Sequence, residues 1–145
     1  MGTIIREISF NSPEQKESIN LRYRVLRQPL ALQFTDEDLE KEFADFHIAA
    51  FLNQQVIGIL LLLPINNSLV IKMRQVAVNF DFQNKGIGKS MVQFAEDFAK
   101  DKGFESMKLH ARETAVPFYL SLGYSIIGET FMEVGIPHKA MFKEI

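Results

Sequence analysis

The sequence contains no cysteine among its 145 residues. This absence excludes disulfides, thiolate metal ligands and an acyl intermediate carried on a cysteine. The chain also lacks an excess of positive charge, because 16 basic residues stand against 18 acidic ones and the formal net charge is −2. Without a positive field to attract a phosphate backbone, a nucleic acid is not an expected partner.

Long apolar segments are missing as well. The longest apolar run, Val56 to Ile65, contains Gly58 and Pro64, and it is far shorter than the roughly 20 residues that a helix needs to span a bilayer. Residues 1–7 have neither a basic lead nor a long apolar stretch, so they do not have the pattern of a signal peptide. We therefore expect no membrane partner and a cytoplasmic location.

The residues that are present suffice for one hydrophobic core, since 47% of them are hydrophobic. A length of 145 residues is also close to the commonest size of a single domain. We therefore expect residues 1–145 to form one domain.

Turn residues and apolar periodicity predict the order of the elements. Ser12 and Gln15 have the spacing of a capping box, which predicts a helix that ends before Pro29. A second, shorter helix is expected from Thr35, and a first strand precedes both helices. The later segments are predicted as strands over 47–52, 56–63 and 69–78, a helix over 88–102, a strand over 105–111, a helix over 115–122 and strands over 124–134 and 138–145. The first three of these strands read as a meander, and the whole predicts an α+β fold whose mixed, mostly antiparallel sheet is flanked by helices.

The strongest chemical signal is a loop with two glycines, Gly86 and Gly88, flanked by Lys85 and Lys89 and followed by an amphipathic helix. Glycines allow the backbone to approach a phosphate closely, and the free N–H groups and dipole of a helix N-terminus favour negative charge. The pattern therefore predicts an anion site.

Two common phosphate-binding motifs do not fit this loop. A Walker A motif needs a glycine where Gln83 stands, although Gly88, Lys89 and Ser90 match its second half. The dinucleotide fingerprint begins at Gly86, but its last glycine would fall on Met91.

A third motif, Q/R-x-x-G-x-G/A, is matched throughout by residues 83–88, and residues 115–124 match a second motif, A-x-x-F/L-Y-x-x-x-G-F/Y. On these two motifs, in this order, the chain resembles the GNAT superfamily of N-acetyltransferases. Residues 26–30 (LRQPL) and 135–138 (GIPH) are similar to a small bacterial subgroup, for which no substrate follows.

The resemblance implies that acetyl-CoA is the acyl donor and that the fold is GNAT-like. The loop amides would bind the CoA pyrophosphate, and the preceding strand would offer N–H groups to the acetyl carbonyl. The cofactor-binding residues implied in this way are Val76, Ala77, Val78, Gln83, Asn84, Lys85, Gly86, Ile87, Gly88 and Lys89. One position departs from the family, because Arg112 stands where many members carry asparagine.

Without cysteine or a G-x-S-x-G elbow, the simplest route is direct attack by a primary amine in a ternary complex. The resemblance makes Tyr119 the general acid, and a phenol with a reference pKa of about 10 stays protonated at neutral pH. The alternative for Tyr119 is a structural aromatic, which is the role that we expect for Phe118.

The general base is open among His47, His110, His138 and a water chain. His138 is favoured, because its place in residues 135–138, with Glu133 nearby, could put either side chain at the acceptor side, although a turn that enters the last strand explains both residues as well. The three histidines do not have the spacing of metal ligands, so we expect no metal site. The acceptor is expected to be a small-molecule or peptide amine, and the resemblance makes a homodimer plausible.

Two other functions remain as alternatives. The first is a non-catalytic module that binds or senses acyl-CoA. The second, less favoured because of Gln83, is a nucleotide hydrolase that uses Gly88, Lys89 and Ser90.

Overall fold

The computed structural model describes residues 2–32 and 35–145, with the side chains of residues 36 and 37 left aside. The strands are β1 (Ile4–Ile8), β2 (Phe46–Leu52), β3 (Gln55–Pro64), β4 (Val70–Val78), β5 (Ser106–Arg112), β6 (Ser125–Glu133) and β7 (Ile136–Glu144). The α-helices are α1 (Pro13–Arg22), α2 (Asp36–Glu40), α3 (Ile87–Asp101) and α4 (Val116–Ser121). The order of helices and strands along the chain is therefore the predicted one.

The strands form one sheet in the order β1-β2-β3-β4-β5-β7-β6. The pairs β1/β2, β2/β3, β5/β7 and β6/β7 are antiparallel. β4 and β5 are parallel, with Val70–Met73 in register with Ser106–Leu109. The prediction of a mixed, mostly antiparallel sheet flanked by helices is therefore confirmed.

The chain forms two compact units. The first comprises the described residues of Met1–Leu63 with Gln75–Ala95, and the second comprises Pro64–Arg74 with Glu96–Ile145. The expectation that residues 1–145 form one domain stays a prediction.

In the first unit, β2 and β3 form the predicted hairpin. Asn53 and Gln54 link the strands with φ values of 50° and 68°, the combination that a type I′ turn requires and that asparagine tolerates well. From Val56 to Leu62 every residue of β3 is buried, as its unbroken apolar run predicts. This strand contributes to a core of the first unit, which is formed by Ile8, Leu21, Ala49, Phe51, Val56, Ile59, Leu61 and Ala77.

Helix α1 begins at its predicted cap. The Ser12 hydroxyl accepts a hydrogen bond from Gln15 N at 3.1 Å, and Gln15 Oε1 accepts one from Asn11 N at 3.2 Å. The expected end at Pro29 is wrong, because the α-helix ends at Arg22 and a π-helical turn follows over Tyr23–Arg27.

The residue before this proline is also helical, since Gln28 has φ −57° and ψ −43°. Packing accounts for the difference. Val25 and Leu26, both in the π-helical turn, lie against the core of the first unit, a tertiary constraint that the local effect of proline does not include.

In the second unit, alternate residues of β5 point to opposite faces. Met107, Leu109 and Ala111 are buried, whereas Lys108, His110 and Arg112 are less buried and lie on the other face. The whole of β5 pairs with residues 138–144 of β7, which places Arg112 opposite His138. This second face of β5 is therefore the polar face of the unit.

Candidate functional site

The glycine loop begins at a well-fixed point in the first unit. Asn79, which follows β4, donates its N–H to the Ile57 carbonyl at 2.8 Å, and its Oδ1 accepts a hydrogen bond from Asp81 N at 3.0 Å. The Gln83 side chain then donates from Nε2 to the Val78 carbonyl at 2.9 Å. The motif glutamine therefore ties the loop back to the end of β4, so a structural role accompanies the binding role predicted for it.

The backbone of the loop has two left-handed residues. Asn84 has φ 62° and Gly86 has φ 83°, and a Cβ built on Gly86 would meet no atom within 4 Å. The glycine therefore faces open space rather than a protein neighbour. Its positive φ is a conformation that side chains other than glycine adopt at a cost.

The N–H groups that follow are available to a ligand. Those of Ile87, Gly88 and Lys89 lie in the first turn of α3, where a helix offers no acceptor, and the first internal bond runs from Ser90 N to Gly86 O at 3.1 Å. Within the described part of the chain, no group accepts a hydrogen bond from the backbone N–H groups between Asn84 and Lys89. Together with the dipole of a helix of 15 residues, they have the arrangement that an anion site needs, and the binding of an anion here stays a prediction.

Both lysines of the loop are exposed. The Lys85 ammonium lies 5.7 Å from the centre of the Phe82 ring, a cation–π distance that orders the side chain beside the loop. The two ammonium groups add positive charge near the free N–H groups, which favours an anion of more than one charge.

The strand that leads to the loop is irregular. Gln75 has φ 56° inside β4, and such a residue interrupts the regular strand conformation. Its side-chain Oε1 is buried, and no group among the described residues donates to it. Ala77, two residues later, is buried, whereas Val76 and Val78 are partly buried. The irregularity lies directly before the three residues predicted to contact the acetyl group.

Tyr119 lies in the second unit, on α4. Its ring is buried, with the centre 5.0 Å from that of Phe118 and 5.8 Å from that of Tyr124. Burial raises the pKa of the Tyr119 phenol, so it is fully protonated at neutral pH. No described group accepts a hydrogen bond from its hydroxyl, which leaves the proton for a ligand.

The neighbouring Tyr124 differs in this respect. Its hydroxyl donates to Glu96 Oε2 at 2.9 Å, and burial, followed by the charge of Glu96, raises its pKa. Lys143 Nζ donates to Glu96 Oε1 at 2.9 Å and to the Leu122 carbonyl at 2.8 Å. Lys143 thus links the carboxylate to the C-terminal end of α4, the helix that carries Tyr119.

The expectation that Phe118 is a core aromatic is wrong, because 37% of its surface is exposed. On α4 the buried residues are Val116 and Tyr119, three positions apart. These two define the inward face of the helix, and Pro117 and Phe118 between them are exposed.

Two of the histidines in the sequence meet in the second unit. His110 Nδ1 lies 3.0 Å from Glu133 Oε1, and His138 Nε2 lies 3.6 Å from Glu133 Oε2. Lys72 Nζ lies 3.4 Å from His110 Nδ1, and burial lowers the pKa of Lys72 while Glu133 acts in the opposite direction. The sequence indicated the histidines and Glu133 but not Lys72, whose place beside them follows from the parallel pairing of β4 with β5.

The third histidine has a structural position in the first unit. The ring Nε2 of His47 lies 2.9 Å from the Glu42 carbonyl oxygen, and the side chain is buried. Among residues 2–32 and 35–145, no group of three or more histidine, aspartate or glutamate side chains could hold a metal ion. No helix in the same described ranges has both the length and the apolar character needed to cross a bilayer.

Comparison with known proteins gives the family. Residues 12–124 match the sequence profile of the Acetyltransferase (GNAT) family. The chain belongs to the GNAT acetyltransferase family. This match includes both motifs on which the sequence resemblance depends.

A curated relative matches about half of the chain. YyaT of Bacillus subtilis (strain 168), itself uncharacterised, is 42% identical over 74 residues, which are 51% of this chain and 50% of YyaT. The chain therefore matches only about half the length of this curated relative.

Solved GNAT structures share the fold. A candidate N-acetyltransferase from Lactobacillus plantarum has a TM-score of 0.88 at 22% identity, covering 99% of both chains. A GNAT acetyltransferase from Elizabethkingia anophelis, crystallised with acetyl-CoA, has a TM-score of 0.76 at 19% identity, covering 99% of this chain and 98% of its own.

Proposed function

We propose that this chain transfers an acetyl group from acetyl-CoA to a primary amine by direct attack in a ternary complex. We further propose that residues 1–145 act as one N-acetyltransferase domain. The observation that carries the proposal is the row of unbonded N–H groups between Asn84 and Lys89 at the start of α3. Family membership supports the same conclusion.

Acetyl-CoA suits the loop because its diphosphate presents several oxygen acceptors and negative charge. The free N–H groups, the helix dipole and two lysine side chains supply donors and positive charge at one place. The Elizabethkingia anophelis protein of the same fold binds acetyl-CoA. We assign cofactor binding to Val76, Ala77, Val78, Gln83, Asn84, Lys85, Gly86, Ile87, Gly88 and Lys89.

In the proposed reaction the backbone N–H groups of β4 after Gln75 polarise the thioester carbonyl. Nitrogen attacks the carbonyl carbon, a C–N bond forms and the C–S bond breaks. Tyr119 gives its proton to the departing thiolate. Its hydroxyl has no acceptor among the described residues, so the proton is available to the thiolate, and burial, which raises the pKa, keeps the phenol protonated at neutral pH.

The acceptor is proposed to be a small-molecule or peptide amine. The balance of charge in the sequence supports neither a nucleic acid as partner nor steering by a strongly charged surface. A homodimer remains part of the proposal, and sedimentation of the purified chain tests it.

The decisive experiment measures free thiol released from acetyl-CoA in the presence of a panel of amines, together with acetyl-CoA affinity by calorimetry. We expect binding, and thiol release that depends on one class of amine. Binding with no thiol release from any amine would support the non-catalytic acyl-CoA module instead. Magnesium-dependent ATP binding that acetyl-CoA does not displace would favour the nucleotide hydrolase.

A further inference from the structure

Three titratable side chains from neighbouring strands of the second unit lie in a row, with His110 on β5, Glu133 on β6 and His138 on β7. Glu133 lies between two imidazoles, with Oε1 3.0 Å from His110 Nδ1 and Oε2 3.6 Å from His138 Nε2. The ring of Phe131 contacts both histidines, at 4.9 Å from the His110 centre and 6.0 Å from the His138 centre. This row, His110–Glu133–His138, has the composition of a proton-transfer network.

The hydrogen bond to Glu133 determines which ring nitrogen of His110 carries the proton. A carboxylate only accepts, so the 3.0 Å contact requires His110 Nδ1 to carry a proton and donate it to Glu133. In neutral His110 the lone pair is then on Nε2. Lys72 Nζ, which also only donates, approaches Nδ1 no closer than 3.4 Å, and the shorter, charge-assisted bond determines the tautomer.

The two histidines differ in what they can offer a ligand. His138 Nδ1 donates to the Ile136 carbonyl at 2.9 Å, its Nε2 faces Glu133, and its side chain is only 4% exposed. His110 is 23% exposed, and no group within residues 2–32 and 35–145 occupies its Nε2. The accessible lone pair of the network therefore belongs to His110.

We propose that His110 is the general base, taking a proton from the acceptor ammonium on Nε2, and that Glu133 and His138 position its ring. This inference rests on the proposed acetyl transfer. The sequence favoured His138 for the role, but the His138 side chain is buried, with Nδ1 bonded to the Ile136 carbonyl and Nε2 turned towards Glu133.

The proton balance of the step is complete. The ammonium gives one proton to His110 Nε2, and the free amine then forms the C–N bond as the C–S bond breaks. The nitrogen loses a second proton to solvent water, and the thiolate gains one from Tyr119. Solvent returns a proton to Tyr119 and takes the proton held by His110, so the net release to solvent is one proton. Glu133 stabilises the imidazolium of His110 as it forms, in the way that a carboxylate orients the histidine of other acid–base pairs.

The charged groups near His110 come from four strands. β4 contributes Lys72 and Arg74, and β5 contributes Lys108. The charges of Arg74 and Lys108 both lower the pKa of Lys72. β6 contributes Glu133 and β7 contributes His138.

The test uses His110→Gln and Glu133→Gln in the full chain, with Glu129→Gln as the matched control. Glu129 is exposed on the same strand, β6. For a primary alkylamine selected from the panel, we expect His110→Gln to lower kcat/KM at neutral pH by about 100-fold or more. Glu133→Gln should cost about 10-fold or more, and Glu129→Gln should have no effect. Acetyl-CoA affinity should be the same in all three variants.

The pH profile separates a base from a structural residue. With His110→Gln, kcat/KM should rise about tenfold per pH unit towards the pKa of the amine, because only amine already deprotonated in solution can react. The unsubstituted protein should lose activity only on the acidic side, where histidines become protonated, roughly between pH 5 and 8.

An amine that is neutral at the assay pH should restore most of the rate of His110→Gln. If the unsubstituted protein turns over and His110→Gln has the same rate and pH profile, the assignment of His110 as base is overturned and the proposed acetyl transfer is not. Absence of turnover by the unsubstituted protein would overturn the proposed function as well, and the inference with it.

Circular dichroism and acetyl-CoA affinity show whether His110→Gln is folded. If it is not, the rate and pH profile of Glu133→Gln test the assignment of His110 as the base. An unchanged rate and acidic limb in that variant would then count against the assignment.

Discussion

Tyr119 and Tyr124 lie with their rings edge to face, 5.8 Å apart at 78°, and only one of them has an acceptor for its hydroxyl. Tyr124 donates to Glu96, while the hydroxyl of Tyr119 has no partner among the described residues. Both rings are buried, and burial raises the pKa of both phenols. The pair fits the two roles that we propose, with Tyr124 held by Glu96 and Tyr119 as the proton donor.

Substitution of Tyr119 by phenylalanine removes the hydroxyl and keeps the ring. We expect Tyr119→Phe to slow thiol release by about 100-fold, with little change in acetyl-CoA affinity, because the proton is needed only when the thiolate leaves. Stopped-flow thiol detection and calorimetry measure the two quantities. An unchanged rate would remove the tyrosine from the mechanism.

Tyr124→Phe is the matched control for that substitution. It breaks the hydrogen bond to Glu96, and bonds to charged groups contribute about 1.5–3 kcal/mol. We therefore expect a lower free energy of unfolding in urea, with thiol release nearly unchanged at temperatures where the variant is folded. The opposite pattern, a large rate loss with unchanged stability, would exchange the roles of the two tyrosines.

The same burial predicts how stability depends on alkaline pH. Because the pKa of each phenol is higher in the folded chain than in the unfolded chain, the folded state binds more protons above the unfolded value of about 10. This contribution is fully present below pH 10 and is lost as the pH rises further, by up to about 1.4 kcal/mol per pH unit for each tyrosine. Urea unfolding between pH 9 and 11, roughly the interval set by that reference value, should show the decrease. Tyr119→Phe and Tyr124→Phe should each make it shallower, and equal slopes in all three proteins would contradict the assignment.

The sequence predicts those features of the fold that depend on residues close together in the chain. The Ser12 cap, the Asn53–Gln54 turn and the loop motif at Gln83 are local patterns, and the structure reproduces each of them. The π-helical turn after Arg22 and the exposure of Phe118 depend on packing against other elements. Local propensities therefore predicted both of these features incorrectly.

The His110–Glu133–His138 row shows the same limit within the candidate site. Its members are separated by at least five residues in the sequence, and strand pairing in the second unit brings them together. Short turns in the sequence predict which consecutive strands pair, but nothing in the sequence indicates that β5 pairs with β7. The sequence could therefore name the candidate bases but could not tell which ring nitrogen is accessible.

The loop assignment is tested by paired substitutions at the two ends of α3. Gly86 and Gly103 have φ values of 83° and 93°, and a Cβ would meet no atom within 4 Å at either position. Leucine at either position should cost roughly 1–2 kcal/mol of stability through backbone strain. Only Gly86→Leu should also weaken acetyl-CoA binding, by at least about tenfold, because its side chain blocks approach to the N–H groups. Equal acetyl-CoA affinities for Gly86→Leu and Gly103→Leu would place the coenzyme elsewhere.

A buried ion pair in the first unit gives the last prediction. Arg22 donates from both terminal nitrogens to Glu42, at 2.7 and 2.6 Å, and the Arg22 side chain is fully buried. Because Glu42→Gln would leave the guanidinium charge without its carboxylate, we expect a loss of about 3–5 kcal/mol in the free energy of unfolding. Arg22→Met combined with Glu42→Leu removes both charges and should be less destabilising than Glu42→Gln alone. Urea unfolding of the two variants checks this order, and a double variant that is the less stable of the two would show that the pair contributes net stability to the fold.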